Sequence, residues 1–100
     1  MKQTIVLRLT CATADADPVV DALRAVSTAP IQVQDEVVRG LDFTDAGTAE
    51  HVTGALRRVA IELLADADDV PALVKAAELS RRRFPVRWMT LPVLEAGRLP

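Results

Sequence analysis

Residues 4–11 alternate between two sets of side chains, and this alternation constrains the fold more than any other stretch of the chain. Ile5, Leu7, Leu9 and Cys11 form the apolar set. Because successive side chains of a β-strand point to opposite faces of a sheet, the pattern predicts a strand with one buried face. The rest of the chain must therefore supply a layer that covers that face.

A first helix is predicted shortly after this strand. Asp17 is placed to cap it, and Pro18 would occupy its first position, where the missing N–H costs nothing. Apolar residues then recur at helical spacing as far as about Ser27, and Pro30 prevents any continuation.

Two further helices are predicted in the second half of the chain. One is capped by Asp45 or Thr48, and its apolar stripe comprises Val52, Leu56, Val59 and Leu63. The other begins at the acidic residues 66–69, with Pro71 in its first turn and the carboxylates near its positive N-terminal end. Its inward face is predicted to comprise Val70, Leu73, Ala77, Ser80 and Phe84.

Residues 31–43 are rich in β-forming side chains and leave two interpretations open. One is a hairpin that turns near residues 34–36, and the other is a single long, bent strand with a bulge near Gly40. We favour the hairpin because Asp-Glu is a poor strand centre, although no Asn-Gly or Asp-Gly marks the turn. A last strand is predicted from Val86 to Leu94.

These elements follow one another in the order β-α-β-(β)-α-α-β, in a chain whose 100 residues suffice for one domain only. We predict a single α+β domain over residues 1–94 and a loose tail over residues 95–100. Its antiparallel sheet has three or four strands, with helices packed on one face. The order resembles the ferredoxin-like split βαβ fold with an extra helix before the last strand. That fold hosts unrelated functions, so the resemblance implies no activity.

Composition excludes several classes of site. The chain contains one cysteine, one histidine and no tyrosine, and only 3% of its residues are aromatic. We therefore predict no catalytic residues, no metal site, no cofactor and no internal disulfide. The net charge of −2, without a basic excess, disfavours nucleic-acid binding. Arg8 interrupts the short apolar start, and no stretch approaches the length of a membrane span, so we predict a cytoplasmic protein.

Cys11 and His51 are the remaining candidates for chemistry. Small heavy-metal-binding domains of ferredoxin-like fold carry Cys-x-x-Cys after the first strand, but here the second position is Ala14, so the thiolate pair is missing. Because Cys11 continues the apolar set, we predict a buried core thiol. His51 lies off the stripe of the second predicted helix, with no Ser or Cys beside it, and is predicted to be solvated.

The arginines form the only concentration of charge. Arg57 and Arg58 lie on the second predicted helix, and Arg81, Arg82 and Arg83 lie at the end of the third. Three arginines at a helix C-terminus complement its dipole without any partner. They also present planar donors that fit carboxylates or phosphates, as on an acidic protein surface or an anionic ligand.

Two apolar residues on the same predicted helices are expected to point away from the core. Ile61 falls opposite the stripe of the second helix, and Leu79 falls to one side of the third. Beside the arginines they are predicted to form the apolar centre of a partner-binding surface, so Ile61→Asp or Leu79→Asp would abolish a contact and leave the fold intact. Trp88 and Met89 fit either the core or an exposed contact on the sheet.

The predicted function is that of a small non-enzymatic interaction, adaptor or regulatory module. It would bind another protein or itself, as a homodimer, through exposed helix faces or a sheet edge. An alternative is a small-molecule sensor, since the element order is similar to that of regulatory ACT-type domains. That resemblance implies a ligand between residues 10 and 17, where the glycine common at such sites is missing. A further alternative resembles small ferredoxin-like enzymes with a site formed between subunits.

Overall fold

The computed structural model describes residues 3–39 and 55–100. Within these ranges the chain forms four strands and two helices, and a short 3-10 turn leads into each helix. The strands and helices are β1 (Thr4–Ala12), α1 (Ala16–Arg24), β2 (Gln32–Arg39), β3 (Ala55–Asp66), α2 (Val70–Glu78) and β4 (Arg87–Pro92). The 3-10 turns are Thr13–Asp15 and Ala67–Asp69.

The four strands form one antiparallel sheet in the order β2-β3-β1-β4. The central strands β1 and β3 pair over the whole length of β1, from Thr4 opposite Asp66 to Ala12 opposite Arg58. The two helices provide the second layer, and the predicted ferredoxin-like α+β class is confirmed.

The core lies between the helices and one face of the sheet. The apolar set of β1 is buried as predicted, with Leu7 and Cys11 fully inaccessible to solvent. The register places Leu63, Ile61 and Val59 of β3 beside Leu7, Leu9 and Cys11. The helices contribute Val19, Leu23, Leu73 and Ala77 to the same cluster. Burying each of the larger aliphatic side chains stabilises the fold by about 1.5–3 kcal/mol.

The helix predicted around Leu56, Val59 and Leu63 is wrong, because Ala55–Asp66 is the long central strand β3. Val59 and Leu63 are four residues apart, and that spacing keeps two side chains on one face of a strand as well as on one face of a helix. Because the segment pairs with β1 on one side and with β2 on the other, it forms a strand and not a helix.

The favoured hairpin at residues 34–36 is also wrong, because Gln32–Arg39 is one continuous strand. Asp35 and Glu36 sit inside it, opposite Val59 and Arg58 of β3. Since β2 is an edge strand, its acidic side chains stay in contact with solvent or with cations, and the burial that would disfavour them does not occur. The alternative bulge at Gly40 lies outside the described residues, as do Asp45, Thr48, Val52 and His51.

Helix and strand ends differ from the predictions by a few residues. The first helix begins at Ala16, so that Asp17 lies in its first turn and is not the cap, and it ends at Arg24 and not near Ser27. The helix α2 ends at Glu78, where the Ser80 hydroxyl donates to the Ala77 carbonyl at 2.6 Å.

The chain beyond α2 is less regular than predicted. Phe84, predicted on the inward face of the third helix, lies in the following loop and is partly exposed. Residues 93–100 have no regular secondary structure, and Leu94 and Leu99 are almost fully exposed. The boundary of the domain at residue 94 stays a prediction. In the described ranges no helix is long and apolar enough to span a bilayer.

Candidate functional site

The face of the sheet opposite the helices is the first candidate site, and we call it the open face. Its residues alternate with the buried ones along each strand. On β1 they are Val6, Arg8 and Thr10, and the register places Leu64 and Glu62 of β3 on one side and Leu91 and Met89 of β4 on the other.

A three-residue ion network occupies the centre of the open face. The Arg8 guanidinium donates from Nη1 to Glu62 Oε1 at 3.0 Å, and from Nη2 to Glu36 Oε1. Glu36 belongs to β2, so the Arg8 side chain reaches across the whole width of β3. Ala60 lies on the crossed strand and is buried, and its small side chain leaves the room that this crossing requires.

The network is moderately shielded from solvent. The three side chains retain between 24% and 30% of their exposure, so the pairs contribute on the order of 1 kcal/mol or less to stability. Their main effect is to hold Arg8 flat on the sheet with its charge already matched by carboxylates of the same molecule.

Apolar side chains lie beside this network on β1, β3 and β4. Leu64, Met89 and Leu91 are each close to half exposed, and Val6 is partly buried between them. A groove of about 380 Å³ runs beside Val6 and Leu64 and is bounded by Pro30. Several exposed apolar side chains clustered on one face beside charged groups are typical of a surface that contacts another protein.

Trp88 and Met89 lie on opposite faces of β4, and each is about half exposed. Met89 belongs to the open face, opposite Arg8, whereas Trp88 is opposite Leu9 on the face that carries the helices. The interpretation of this pair as core residues is therefore wrong, and their exposure on the sheet is confirmed.

The second candidate site is the loop between α2 and β4, residues 80–86, which we call the arginine turn. The Asp15 carboxylate, only 1% exposed, accepts hydrogen bonds from the backbone N–H groups of Arg83 and Phe84, each at 2.9 Å. Asp15 immediately precedes α1 but makes no side-chain cap bond, since its oxygens are directed to the turn. Sequence reasoning missed this residue because Asp17 gave the more conventional capping signal.

Arg82 is the member of the turn that points inward. Its Nη1 donates to the Phe84 carbonyl at 3.0 Å, whereas its Nε is buried and has no acceptor among the described residues. Next to it, between α2 and β4, is a cavity of about 170 Å³ that we call the niche. The niche is lined by Arg82 and by Leu9, Val74, Ala77, Glu78, Val86 and Trp88.

The predicted partner-binding residues do not form one helix-borne surface. Ile61 is completely buried in the core, so its predicted exposure is wrong. Arg57 and Arg58 are successive residues of a strand and lie on opposite faces of the sheet. Arg57 is exposed, and Arg58 is buried, with its Nη1 donating to the Arg57 carbonyl at 2.7 Å.

Leu79 and the arginine turn lie where a partner can reach them. Leu79 directly follows α2 and is 72% exposed, which confirms its predicted exposure. Arg81 and Arg83 are exposed as well, although they follow the helix in a loop and are not its last residues. The partner-binding role of this group stays a prediction.

Cys11 is a core thiol as predicted. Burial, with a smaller effect of the nearby Asp15 carboxylate and against the opposing charge of Arg58, raises the pKa of the Cys11 thiol from 9.0 to about 11. The thiol is therefore protonated at neutral pH and is a poor nucleophile and metal ligand. Within residues 3–39 and 55–100, no group of three or more His, Cys, Asp or Glu side chains is placed to hold a metal ion.

The sheet order, the open face and the arginine turn define a small ferredoxin-like α+β domain. The chain belongs to the DUF3240 family, described as "Protein of unknown function (DUF3240)", which matches residues 1–100. The chain matches no curated protein.

Solved structures share this fold at low sequence identity. A DUF3240 family protein from Shewanella baltica OS155 is 19% identical, with a TM-score of 0.78 and all of both chains covered. A Bacillus cereus protein related to NIF3 is 14% identical, with a TM-score of 0.71 over 97% of this chain and 27% of that one. Arabidopsis thaliana PII bound to citrate is 17% identical, with a TM-score of 0.64 over 91% of this chain and 78% of that one. These likenesses show the fold alone.

Proposed function

We propose that the protein is a small, non-enzymatic, cytoplasmic regulatory module that forms homodimers through the open face of its sheet. The observation that carries the proposal is the cluster of half-exposed apolar side chains Leu64, Met89 and Leu91 beside the Arg8 network. Among residues 3–39 and 55–100 both helices pack on the other side of the sheet, and the open face is exposed around Leu64, Met89 and Leu91, although Ala60 and Arg58 further along β3 are buried.

The size of the open face supports the proposal. Four strands of 6 to 12 residues, spaced about 4.8 Å apart and running for roughly 17–36 Å, give a face of several hundred Å². Specific interfaces bury about 800 Å² per partner, so most of this face would be needed. A two-fold axis brings identical patches together, which is the commonest arrangement in homodimers.

The charges of the open face also favour a second copy of the chain. A buried charge without a partner strongly destabilises an interface. Here Arg8 is already paired with Glu36 and Glu62 within one molecule, and the register places a further cation, Arg58, opposite Glu36, so covering the network leaves neither sign of charge without the other beside it. Leu91, Met89 and Leu64 then supply the apolar contact that stabilises the dimer.

Molar mass measured by light scattering during size-exclusion chromatography tests the proposal. We expect the unchanged protein to elute with the mass of a dimer at micromolar concentration. Leu91→Glu places a charge in the apolar cluster of Leu64, Met89 and Leu91, so we expect it to give monomers with an unchanged circular dichroism spectrum. The matched control is Leu79→Glu, which changes an exposed leucine on the helix side and is expected to leave the dimer intact.

Two results would contradict the proposal. One is a monomeric mass for the unchanged protein over the whole accessible concentration range. The other is dissociation by Leu79→Glu with no effect of Leu91→Glu, which would move the interface to the surface around α2 and the arginine turn.

A small-molecule sensor is the second candidate function, and the niche beside Arg82 favours it. One protein of this fold, the PII protein from Arabidopsis thaliana, has been crystallised bound to citrate, a small carboxylate. The loop that the ACT-type resemblance implied as a ligand site is less suitable, because Asp15 within it is committed to the backbone of the arginine turn.

A further inference from the structure

We infer that residues 93–100, which we call the tail, pair as an added strand with the free edge of β2 in a second copy of the chain. This contact lies at the edge of the sheet and does not depend on the dimer proposed for the open face. It rests on an open edge at β2, on a tail that projects from its own molecule, and on the charges that the two segments carry.

The free edge of β2 is open along its whole length. Among the described residues β3 is its only neighbour, so on the other side every second residue presents an unpaired N–H and C=O. Seven of its eight residues are exposed, and Val33 and Val37 are each about half exposed. Proteins protect such an edge with lysine, proline or a bulge, but Gln32–Arg39 contains neither residue type and pairs with β3 without a bulge. The edge is therefore open to pairing with another strand.

The tail projects from the opposite edge of the sheet. The Val93 N–H donates to the Thr4 carbonyl at 3.2 Å, and beyond Val93 the chain has no regular secondary structure. Leu94 is 95% exposed and Leu99 is 93% exposed, so neither packs against its own molecule. One exposed leucine is ordinary, but two of them on a segment whose backbone is free to pair give an assembly apolar surface to bury.

The register of the sheet shows that the tail cannot pair in this way with β2 of its own molecule. Pro92 lies level with Ala65 of β3, since both pair with the same residue of β1. Arg39, at the end of β2, lies level with Ala55, so ten residues of strand, about 33 Å, separate the two levels. Leu94 is two residues beyond Pro92, a reach of about 7 Å. A strand that runs antiparallel to β2 from Arg39 must therefore come from a second copy.

The charges of the edge and the tail favour one alignment. Asp35 on β2 and Arg98 in the tail are both exposed, and no ion pair involves either side chain within the described ranges. Antiparallel pairing, the more stable kind, with Arg98 opposite Asp35 also brings Ala96 opposite Val37 on the same face. Glu95 then lies opposite an uncharged residue, so no like charges face each other directly. A second copy of the chain thus supplies both the added strand and the opposite charge.

Hydrogen–deuterium exchange followed by mass spectrometry of the full chain observes both segments in one experiment. New backbone hydrogen bonds slow the exchange of the amides that form them. We expect the amides of residues 32–39 and of the tail to exchange at least about tenfold more slowly as the protein concentration is raised from low nanomolar to the highest soluble value. Leu91→Glu, which is expected to dissociate the open-face dimer, should leave this protection in place.

Charge exchange tests the alignment and the need for a second copy. Arg98→Asp and Asp35→Arg each place like charges opposite one another, so each alone should raise the concentration that gives half-maximal protection at least about threefold. A mixture of the two variants restores opposite charges in both possible contacts and should restore the protection. The control Arg81→Asp reverses an exposed arginine outside the contact and should leave the protection unchanged. Because Arg98 lies in the exposed tail, its variant keeps the fold.

Each contrary result overturns the inference. Exchange of both segments that does not depend on protein concentration would mean that the edge and the tail stay unpaired. Equal effects of Arg98→Asp and Arg81→Asp would remove Arg98 from the contact. Protection restored by the two substitutions within one chain, but not by the mixture, would mean that the tail folds back on its own molecule. Protection of the tail that Leu91→Glu removes and Asp35→Arg leaves intact would place the tail on the open face.

Discussion

At the scale of single residues, burial decides the role of an ionisable side chain in this protein. Asp15 is the least exposed ionisable carboxylate described, and it is satisfied by two backbone donors that lie far away in the sequence. A carboxylate accepting several backbone N–H groups is a strong local constraint. By contrast, the burial of Cys11 makes its thiol chemically inert and turns it into a small core residue.

Replacing Asp15 tests how much this constraint contributes. We expect Asp15→Ala to lower the free energy of unfolding by about 2–4 kcal/mol, because it leaves the N–H groups of Arg83 and Phe84 without their acceptor. Urea denaturation followed by circular dichroism measures the change. Asp17→Ala is the matched control, since Asp17 is exposed in the first turn of α1, and it should cost about 1 kcal/mol or less. Equal losses in the two variants would contradict the anchoring role of Asp15.

At the scale of secondary structure, the central strand β3 is the element that the sequence pattern described wrongly. Its residues 57–63 contain arginines, alanine and glutamate among the aliphatic residues, a mixture common in amphipathic helices. Two neighbouring strands nevertheless hydrogen-bond to it along almost its whole length. These long-range pairs outweigh the local helical preference, which amounts to only a few tenths of a kcal/mol per residue.

The strand assignment reverses the expected effect of a substitution at Ile61. On an exposed helix face Ile61→Asp would be harmless to the fold, but on β3 it places a carboxylate in the core beside Leu9. We expect this variant to be unfolded at 25 °C, since an unpaired buried charge costs several kcal/mol, comparable with the whole stability of a small domain. Leu79→Asp serves as the control and should change the melting temperature by no more than a few degrees. If Ile61→Asp showed a cooperative thermal transition like that of the unchanged protein, the position of Ile61 in the core on strand β3 would be contradicted.

At the scale of the whole molecule, the topology concentrates positive charge at one end. Antiparallel pairing brings together the end of β2, the start of β3 and the start of β4. Seven of the ten arginines of the chain lie there or in the adjoining turn: Arg39, Arg57, Arg58, Arg81, Arg82, Arg83 and Arg87. Asp66, Asp68 and Asp69 lie at the opposite end, where β3 leads into α2. In the part of the chain that the structure describes, charge is therefore separated along the sheet, although the net charge of the whole chain is only −2.

This polarity suggests a competing mode of assembly that salt can distinguish. Molecules joined head to tail, basic end to acidic end, would form open chains and would separate as salt screens the charges. The dimer proposed for the open face contains its ion pairs within each molecule and depends on apolar contact. We therefore expect the molar mass to stay constant when NaCl is raised from about 0.05 M to about 0.5 M. A mass that falls steadily with salt would favour the head-to-tail arrangement.

The sequence alone determined the character of the molecule: a half-buried first strand, a ferredoxin-like α+β class, an aliphatic core and an exposed Leu79. These follow from local periodicity and from composition, which act over a few neighbouring residues. Only the tertiary structure decided that residues 55–66 are a strand, that Ile61 is in the core and that Asp15 holds the arginine turn. Each of those depends on partners between 16 and 69 positions away along the chain, and the register that joins such partners is set by the sheet as a whole.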